Sequence, residues 1–111
     1  MSAIAIVDRS VLSHNLFRLV LKPKGFSCYC VETLEQLKKL LSKKTTVKGI
    51  FVNVESEASW WRQEGAFVSI PKIFFCNEEK QKEMFSKIPS SCVLLKPFHP
   101  SEVTLVVEQW L

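Results

Sequence analysis

The stretch Ile4-Ala5-Ile6-Val7-Asp8 has a counterpart near the end of the chain, Val93-Leu94-Leu95-Lys96-Pro97-Phe98, and these two stretches decide the fold. Short, unbroken apolar runs are typical of strands that are buried on both faces of a parallel sheet. Each run stops at a charged residue, Asp8 in the first and Lys96 in the second. Because strand ends converge at the carboxyl edge of an open α/β sheet, that edge is where such proteins build their sites.

Three more apolar runs lie between these two and alternate with helical patterns. The predicted strands are residues 4–7, 26–31, 50–54, 73–76 and 92–95. The predicted helices begin near Ser10, Thr33, Glu55, Asn77 and Pro100. The third helix, within residues 55–69, is expected to be shortened because the segment is brief and contains a glycine. This alternation predicts an α/β, doubly wound three-layer sandwich with a five-stranded parallel sheet and right-handed crossovers.

The apolar spacing also predicts which side of each helix faces the sheet. In the first helix, residues 10–21, the expected inward stripe is Leu12, Leu16, Leu19 and Val20. The second helix is expected to start with a capping box of Thr33 and Gln36, and its inward residues are Leu34, Leu37, Leu40 and Leu41. The apolar side of the fourth is formed by Met84, Phe85 and Ile88, and the last helix is expected to bury Val103, Val106, Val107 and Trp110.

Composition favours one compact domain that spans residues 1–111, because 111 residues with 47% hydrophobic content suffice for one core. The sequence contains neither a long apolar span nor a signal-peptide pattern, so we expect a cytoplasmic protein without a membrane partner. The net charge is +4, but the clustered lysines Lys38, Lys39, Lys43 and Lys44 are expected to be a solvated helix end. We therefore expect no nucleic-acid binding by this domain.

The four cysteines, Cys28, Cys30, Cys76 and Cys92, lie in or at the ends of apolar runs and lack the paired spacing of zinc ligands. They are interpreted as reduced thiols of the core. Cys28 and Cys30 are expected to share one face of a strand, but two thiols alone do not make a metal site.

Over essentially its whole length, the chain resembles the receiver domain of bacterial response regulators. The resemblance lies in the ordered set of Ile6-Val7-Asp8, the helix that ends at Gly25-Phe26, the strand that ends at Asn53, the strand 73–76 and Lys96-Pro97-Phe98. The resemblance implies a flavodoxin-like sheet in the order 2-1-3-4-5. In that family two acids after the first strand bind magnesium, and an aspartate after the third accepts phosphate from a histidine kinase. A threonine or serine after the fourth strand senses the phosphate, and a lysine after the fifth contacts it.

By this resemblance Asp8 matches the first acid and Lys96 matches the lysine, whereas the other positions depart from the family pattern. Arg9 replaces the second acid, Asn53 the phosphate acceptor and Cys76 the hydroxyl. Val93 replaces the aromatic residue that rotates on activation. A carboxamide is a poor nucleophile, and a guanidinium places a positive charge where magnesium would need an anionic ligand. We therefore expect a vestigial pocket of Asp8, Arg9, Asn53, Cys76 and Lys96 without a catalytic or phosphate-accepting residue.

The function that the resemblance then implies is a degenerate, pseudo-receiver signalling domain of the two-component phosphorelay type. It would act through phosphorylation-independent binding of another protein or of a second copy of itself. We expect no enzymatic activity, no cofactor, and weak or absent magnesium binding.

Other interpretations of the same residues stay open. Asp8 could only cap the first helix, Asn53 could be a turn residue, and Lys96 could be a solvated lysine. A working phosphate acceptor could use Glu55, with Asp8 as the metal ligand. A small thiol redox protein could use Cys28 and Cys30, which would require accessible thiols of low pKa.

The receiver resemblance places the output surface on the fourth helix, fifth strand and fifth helix. Phe85 and Val93 lie there, and an outward Phe85 would be a natural anchor for a partner. Phe85 could equally point into the core, because Met84 and Phe85 cannot both face the sheet. Trp60 and Trp61 are expected to be one core and one partly exposed aromatic residue.

Overall fold

The computed structural model describes residues 2–43, 47–54, 70–86, 91–96 and 99–110. The described strands are β1 (Ser2–Val7), β2 (Phe26–Val31), β3 (Val47–Asn53), β4 (Lys72–Cys76) and β5 (Ser91–Leu95). The described helices are α1 (Val11–Leu21), α2 (Leu34–Ser42), α3 (Glu79–Ser86) and α4 (Pro100–Trp110). A short 3-10 turn, Lys22–Lys24, follows α1 and ends at Gly25, whose φ is 86°. The predicted third helix, with Trp60 and Trp61, lies outside the described residues.

The five strands form one parallel sheet in the order β2-β1-β3-β4-β5, which confirms the predicted architecture. Val7 lies opposite Val31 of β2 and Val52 of β3, and Asn53 lies opposite Phe75 of β4. This register brings the carboxyl ends of the strands to one edge of the sheet, where Asp8, Asn53 and Lys96 follow or end their strands.

Both faces of the sheet are covered, which explains the unbroken apolar runs. Alternate strand residues such as Ile4, Ile6, Phe51 and Phe75 pack beneath α1 and α4. The intervening residues, including Ala5, Val7, Val52 and Phe74, pack against Leu37 of α2 and Phe85 of α3 on the opposite face. The two cores make the three layers predicted from the sequence.

The orientation of α1 differs from the prediction at Leu12 and Leu19, although Val20 packs against the core as predicted. Leu12 and Leu19 are 81% and 76% exposed, whereas His14, Phe17 and Leu21 are buried. The buried set has the same helical spacing as the predicted leucine stripe but includes a histidine, which an apolar count passes over. The Phe17 ring packs 4.8 Å from that of Phe51 and 5.3 Å from that of Phe75, and these contacts fix the rotation of the helix.

The start of α2 confirms the predicted capping box, except that the Gln36 side chain bonds to a different backbone N–H than predicted. The backbone N–H of Gln36 donates to Thr33 Oγ1 over 3.2 Å, and Gln36 Oε1 accepts from the backbone of Glu32 over 2.6 Å. The glutamine thus reaches the residue before the cap rather than the cap itself. Leu37 is buried and Leu40 and Leu41 pack at the edge of the core, as predicted.

Of the two orientations left open for Phe85, the structure has the inward one, so Phe85 is not an outward anchor. Its side chain is 1% exposed and its ring centroid lies 5.0 Å from that of Phe74 on β4. Phe85 is a core residue of α3, and burying its aromatic ring stabilises the packing of this short helix against the sheet. On α4, Val103, Val106 and Val107 are buried as predicted. Among the described residues, no helix has the length and apolar character needed to cross a membrane.

Candidate functional site

Three of the predicted pocket residues meet at the carboxyl edge of the sheet, joined by hydrogen bonds. Lys96 Nζ donates to Asn53 Oδ1 over 3.3 Å, and Asn53 Nδ2 donates to Asp8 Oδ1 over 3.2 Å. Asp8 is 1% exposed and Asn53 is 7% exposed, while Lys96 is half-buried. The cation, the amide and the carboxylate therefore form a chain that links the ends of β1, β3 and β5.

The chemistry of the two outer groups fixes the orientation of the Asn53 amide. An ammonium group only donates hydrogen bonds and an ionised carboxylate only accepts them. The amide oxygen must therefore face Lys96, and the amide nitrogen must face Asp8. An aspartate at position 53 would have no hydrogen to offer and would bring a second negative charge against Asp8.

The loop that carries Asp8 is held by three further hydrogen bonds. The backbone N–H of Asp8 donates to Val31 O of β2 over 3.0 Å, and Asp8 Oδ1 accepts from the backbone N–H of Ser10 over 3.0 Å. Its carbonyl oxygen lies 2.6 Å from His14 Nε2. Since a carbonyl can only accept, Nε2 of His14 carries the hydrogen.

His14 is the site residue that reasoning from the sequence missed. Its ring is buried on the inner side of α1 and ties that helix to the turn after β1. A lone histidine among leucines gives little sign of such a role. The available signal was its position, since it shares the face of Phe17 and Leu21 at helical spacing.

Lys96 is positioned by backbone and aromatic contacts as well as by Asn53. Its N–H donates to Cys76 O over 2.7 Å, which continues the pairing of β4 with β5. Its ammonium group lies 5.2 Å from the centroid of the buried Phe75 ring, within the range of a cation–π contact. These contacts restrict the lysine to the pocket side of the sheet edge.

The remaining predicted residues lie around this chain rather than within it. Cys76 is buried, and its thiol faces the carbonyl oxygens of Glu78, at 3.8 Å, and Leu94, at 3.9 Å. Arg9 has an exposed side chain, and Val93 is half-buried against the core beneath α2 and α3. Glu55, Pro97 and Phe98 lie outside the described residues.

The cysteine thiols are at least partly buried and have raised pKa values, whereas the thiols of a redox centre are accessible and have lowered ones. Cys28 and Cys30 pack at the edge of the core beneath α1, which confirms that they share one face of β2. Burial, and then the neighbouring Cys30, raise the pKa of Cys28 to about 11, although Arg18 opposes the shift. Burial likewise raises the pKa of Cys30, Cys76 and Cys92. A reactive thiol requires a lowered pKa, so these groups argue against thiol chemistry.

The described part of the pocket can be compared with the ligand set that magnesium requires. The ion prefers hard, mostly anionic oxygens in an octahedral arrangement. Here one carboxylate faces the N–H side of an amide, and the amide oxygen faces an ammonium group. In the part of the chain that the structure describes, no three histidine, cysteine or acidic side chains group together as metal ligands.

Comparison with known proteins gives similarity in structure but not in sequence family. No protein-family model matches the chain, and no curated protein matches it by sequence. A response regulator receiver protein from Sinorhizobium medicae superposes with a TM-score of 0.78 at 17% identity, covering 99% of this chain and 93% of that one. The chemotaxis response regulator CheY4 of Vibrio cholerae gives 0.75 at 17% identity, covering 100% and 99%.

A receiver protein from Burkholderia phymatum is similar in the same way, with a TM-score of 0.73, 16% identity, and coverage of 96% of this chain and 94% of that chain. All three likenesses extend over nearly the whole of both chains. At this level of identity they establish architecture rather than activity. The chain has the fold of a response regulator receiver domain.

Proposed function

We propose that this chain is a receiver-like signalling domain with a degenerate phosphorylation site, which acts by binding another protein. The observation that carries this proposal is the hydrogen-bonded chain from Lys96 through Asn53 to Asp8. It occupies the edge of the sheet where the receiver resemblance places phosphoryl transfer. These hydrogen bonds join the three side chains to one another instead of leaving them to bind a metal and a phosphoryl group.

The chemistry of Asn53 supports a function without phosphoryl transfer. A carboxamide has no anionic oxygen with which to attack phosphorus, and both ends of this one are engaged. Among the described residues, Asp8 is the one buried carboxylate beside it, which gives poor electrostatic support for magnesium. The proposal therefore includes neither a metal nor a cofactor, and no enzymatic activity.

The surroundings of the pocket support a fixed conformation. At Cys76 a thiol makes long contacts to backbone oxygens, where the receiver resemblance predicts a hydroxyl that follows the phosphate. Val93 packs against the core where the resemblance predicts a rotating aromatic residue. A domain without these two moving parts presents one surface at all times, so partner binding would be constitutive. The described cysteines are free thiols, which fits a reducing compartment such as the cytoplasm.

Intact-mass measurement after incubation with acetyl phosphate and magnesium tests the proposal. We expect no phosphoryl adduct on the wild-type chain. A known phosphorylatable receiver domain in the same tube is the positive control, since it shows that the reagent is active. A stoichiometric adduct on the wild-type chain that hydroxylamine removes, as it removes an acyl phosphate, would contradict the proposal and would bring Glu55 back as the acceptor.

A further inference from the structure

Strand β2 lies at one edge of the sheet. In the part of the chain that the structure describes, β1 is its one neighbouring strand, and the two strands pair without a bulge. The backbone of Val31 faces β1, because its carbonyl oxygen accepts from the N–H of Asp8 over 3.0 Å. Successive residues of a strand direct their N–H and C=O groups to opposite sides. Tyr29 therefore also faces β1, whereas the N–H and C=O groups of Cys28 and Cys30 point away from the sheet.

The outer edge of β2 lacks the features with which proteins prevent pairing to another strand. Edge strands are usually protected by a charged side chain, a proline or a bulge. The strand reads Phe-Ser-Cys-Tyr-Cys-Val and has neither a charge nor a proline. Its aromatic and β-branched residues favour extended structure, and Tyr29 at its centre is 40% exposed. An uncharged edge of this kind is suited to the addition of a further strand.

The charges at the two ends of β2 indicate what kind of strand fits there. A groove of about 520 Å³ lies beside the first half of the strand, and Arg18, Lys22 and Phe26 are among the residues that line it. At the other end, the residue that follows the strand is the exposed Glu32. The strand thus has a basic start and an acidic end. A second copy of β2 that runs antiparallel would bring its acidic end to this basic groove, and the reverse pairing would repeat the match.

We propose that β2 pairs antiparallel with β2 of a second copy, about a twofold axis at Tyr29, so that two sheets join into one. In this register Cys28 lies opposite Cys30 of the second copy, and these outward-facing residues exchange backbone hydrogen bonds. Glu32 lies opposite Phe26 of the second copy, at the basic groove, and the two Tyr29 rings meet at the axis. Because both copies use the same surface, the assembly closes as a dimer. The inference goes beyond the proposed function and holds whether or not the pocket accepts phosphate.

Charge substitutions at Tyr29 test the position of the twofold axis. At the protein concentrations used for NMR, the wild type should sediment as a dimer in analytical ultracentrifugation. Tyr29→Lys and Tyr29→Glu should each sediment as a monomer, because two like charges would meet at the axis. An equimolar mixture of these two variants should form a dimer again, because opposite charges then meet. Leu105→Lys, which adds the same charge at a residue that is 53% exposed on α4, is the control and should remain a dimer.

Amide hydrogen exchange tests the register and shows whether the variants fold. In the wild-type dimer the N–H groups of Cys28 and Cys30 should be protected by the second copy. In Tyr29→Lys they should exchange about tenfold faster or more, because they then face solvent. The N–H groups of Tyr29 and Val31 face β1 within the same chain, so they should stay protected in both proteins. Loss of protection at all four residues would instead mean that the variant disrupts β2, and Tyr29→Glu would then replace it in the comparison.

Three results would overturn the inference. These are a monomeric wild type in which the Cys28 and Cys30 amides exchange freely, a dimer that survives Tyr29→Lys, and a mixture of the two Tyr29 variants that stays monomeric. The first would leave the edge to a strand of a different protein, and the second would place the dimer contact elsewhere on the molecule. None of them affects the acetyl phosphate measurement, so failure of this inference and failure of the proposed function are distinguishable.

Discussion

At the scale of single residues, the pocket is organised around the two-sided hydrogen bonding of Asn53. Its amide accepts from Lys96 and donates to Asp8, and a carboxylate can perform only the first of these tasks. Asp8 is in turn fixed through its backbone by Val31 and His14. The asparagine therefore supports the buried carboxylate of Asp8, together with the backbone N–H of Ser10.

Replacing Asn53 with aspartate should destabilise the domain by about 1–3 kcal/mol at neutral pH, since a buried donor is lost and two carboxylates meet. Urea denaturation at neutral pH measures this effect. Asn77→Asp, an exposed change of the same chemistry, is the control and should have little effect.

The same Asn53→Asp variant should not gain a phosphoryl group from acetyl phosphate, because Arg9 still stands where the receiver resemblance requires a second acid. A phosphoryl adduct on this single variant would show that the pocket tolerates a metal beside Arg9.

At the scale of elements, the sequence predicted where each strand and helix lies along the chain better than it predicted which face of a helix is buried. Every described strand and helix lies within a few residues of its predicted place, because buried parallel strands and capped helices have distinct patterns. The predicted rotation of α1 about its axis was wrong because two sets of residues on this helix have helical spacing. The set that contains His14 faces the core, whereas Leu12 and Leu19 of the predicted set are exposed. Which face of a helix is buried depends on contacts such as Phe17 with Phe51, which no single-sequence pattern contains.

The rotation of α1 predicts unequal costs for alanine substitutions along it. Phe17→Ala should lower the free energy of unfolding by about 3–5 kcal/mol, because it leaves a cavity among aromatic rings. Leu12→Ala and Leu19→Ala should each change it by no more than about 0.5 kcal/mol. Chemical denaturation of the three variants compares them, and a large loss at Leu12 with little at Phe17 would restore the leucine stripe to the core.

On α3, Phe85→Ala should cost about 3–5 kcal/mol of unfolding free energy, since the ring is packed against Phe74. Glu83→Ala, at an exposed position of the same helix, is the matched control. A variant that keeps its stability but loses partner binding would mean that Phe85 is an interface residue after all.

On β2, the raised pKa of Cys28 predicts a loss of stability at alkaline pH. In the folded state the pKa of the thiol is about 11, whereas the exposed thiol of the unfolded chain has its ordinary pKa of 9.0. The stabilising effect is therefore present below about pH 9 and lost as the pH rises toward 11. Thermal melts of the wild type and Cys28→Ala across that window should converge as the pH rises. A constant difference in melting temperature would contradict the assignment.

At the scale of the whole molecule, the receiver fold was predictable because five buried strands and their connecting helices follow one order along the chain. The candidate site was only partly predictable. Parallel topology brings Asp8, Asn53 and Lys96 to one edge, but the direction of the amide and the role of His14 depend on atomic contacts. The picture that we propose is a receiver fold in which internal hydrogen bonds take the place of metal and phosphate, and in which one surface state is always present.

The most direct test of this picture is an amide NMR titration of the wild-type protein with beryllofluoride, a phosphoryl mimic, in the presence of magnesium. We predict that the resonances of Asp8, Asn53, Cys76 and Lys96 stay where they are in the unliganded protein, since Asn53 is a carboxamide and is hydrogen-bonded to both Asp8 and Lys96. Saturable shifts of these resonances that require both magnesium and beryllofluoride would contradict the central claim.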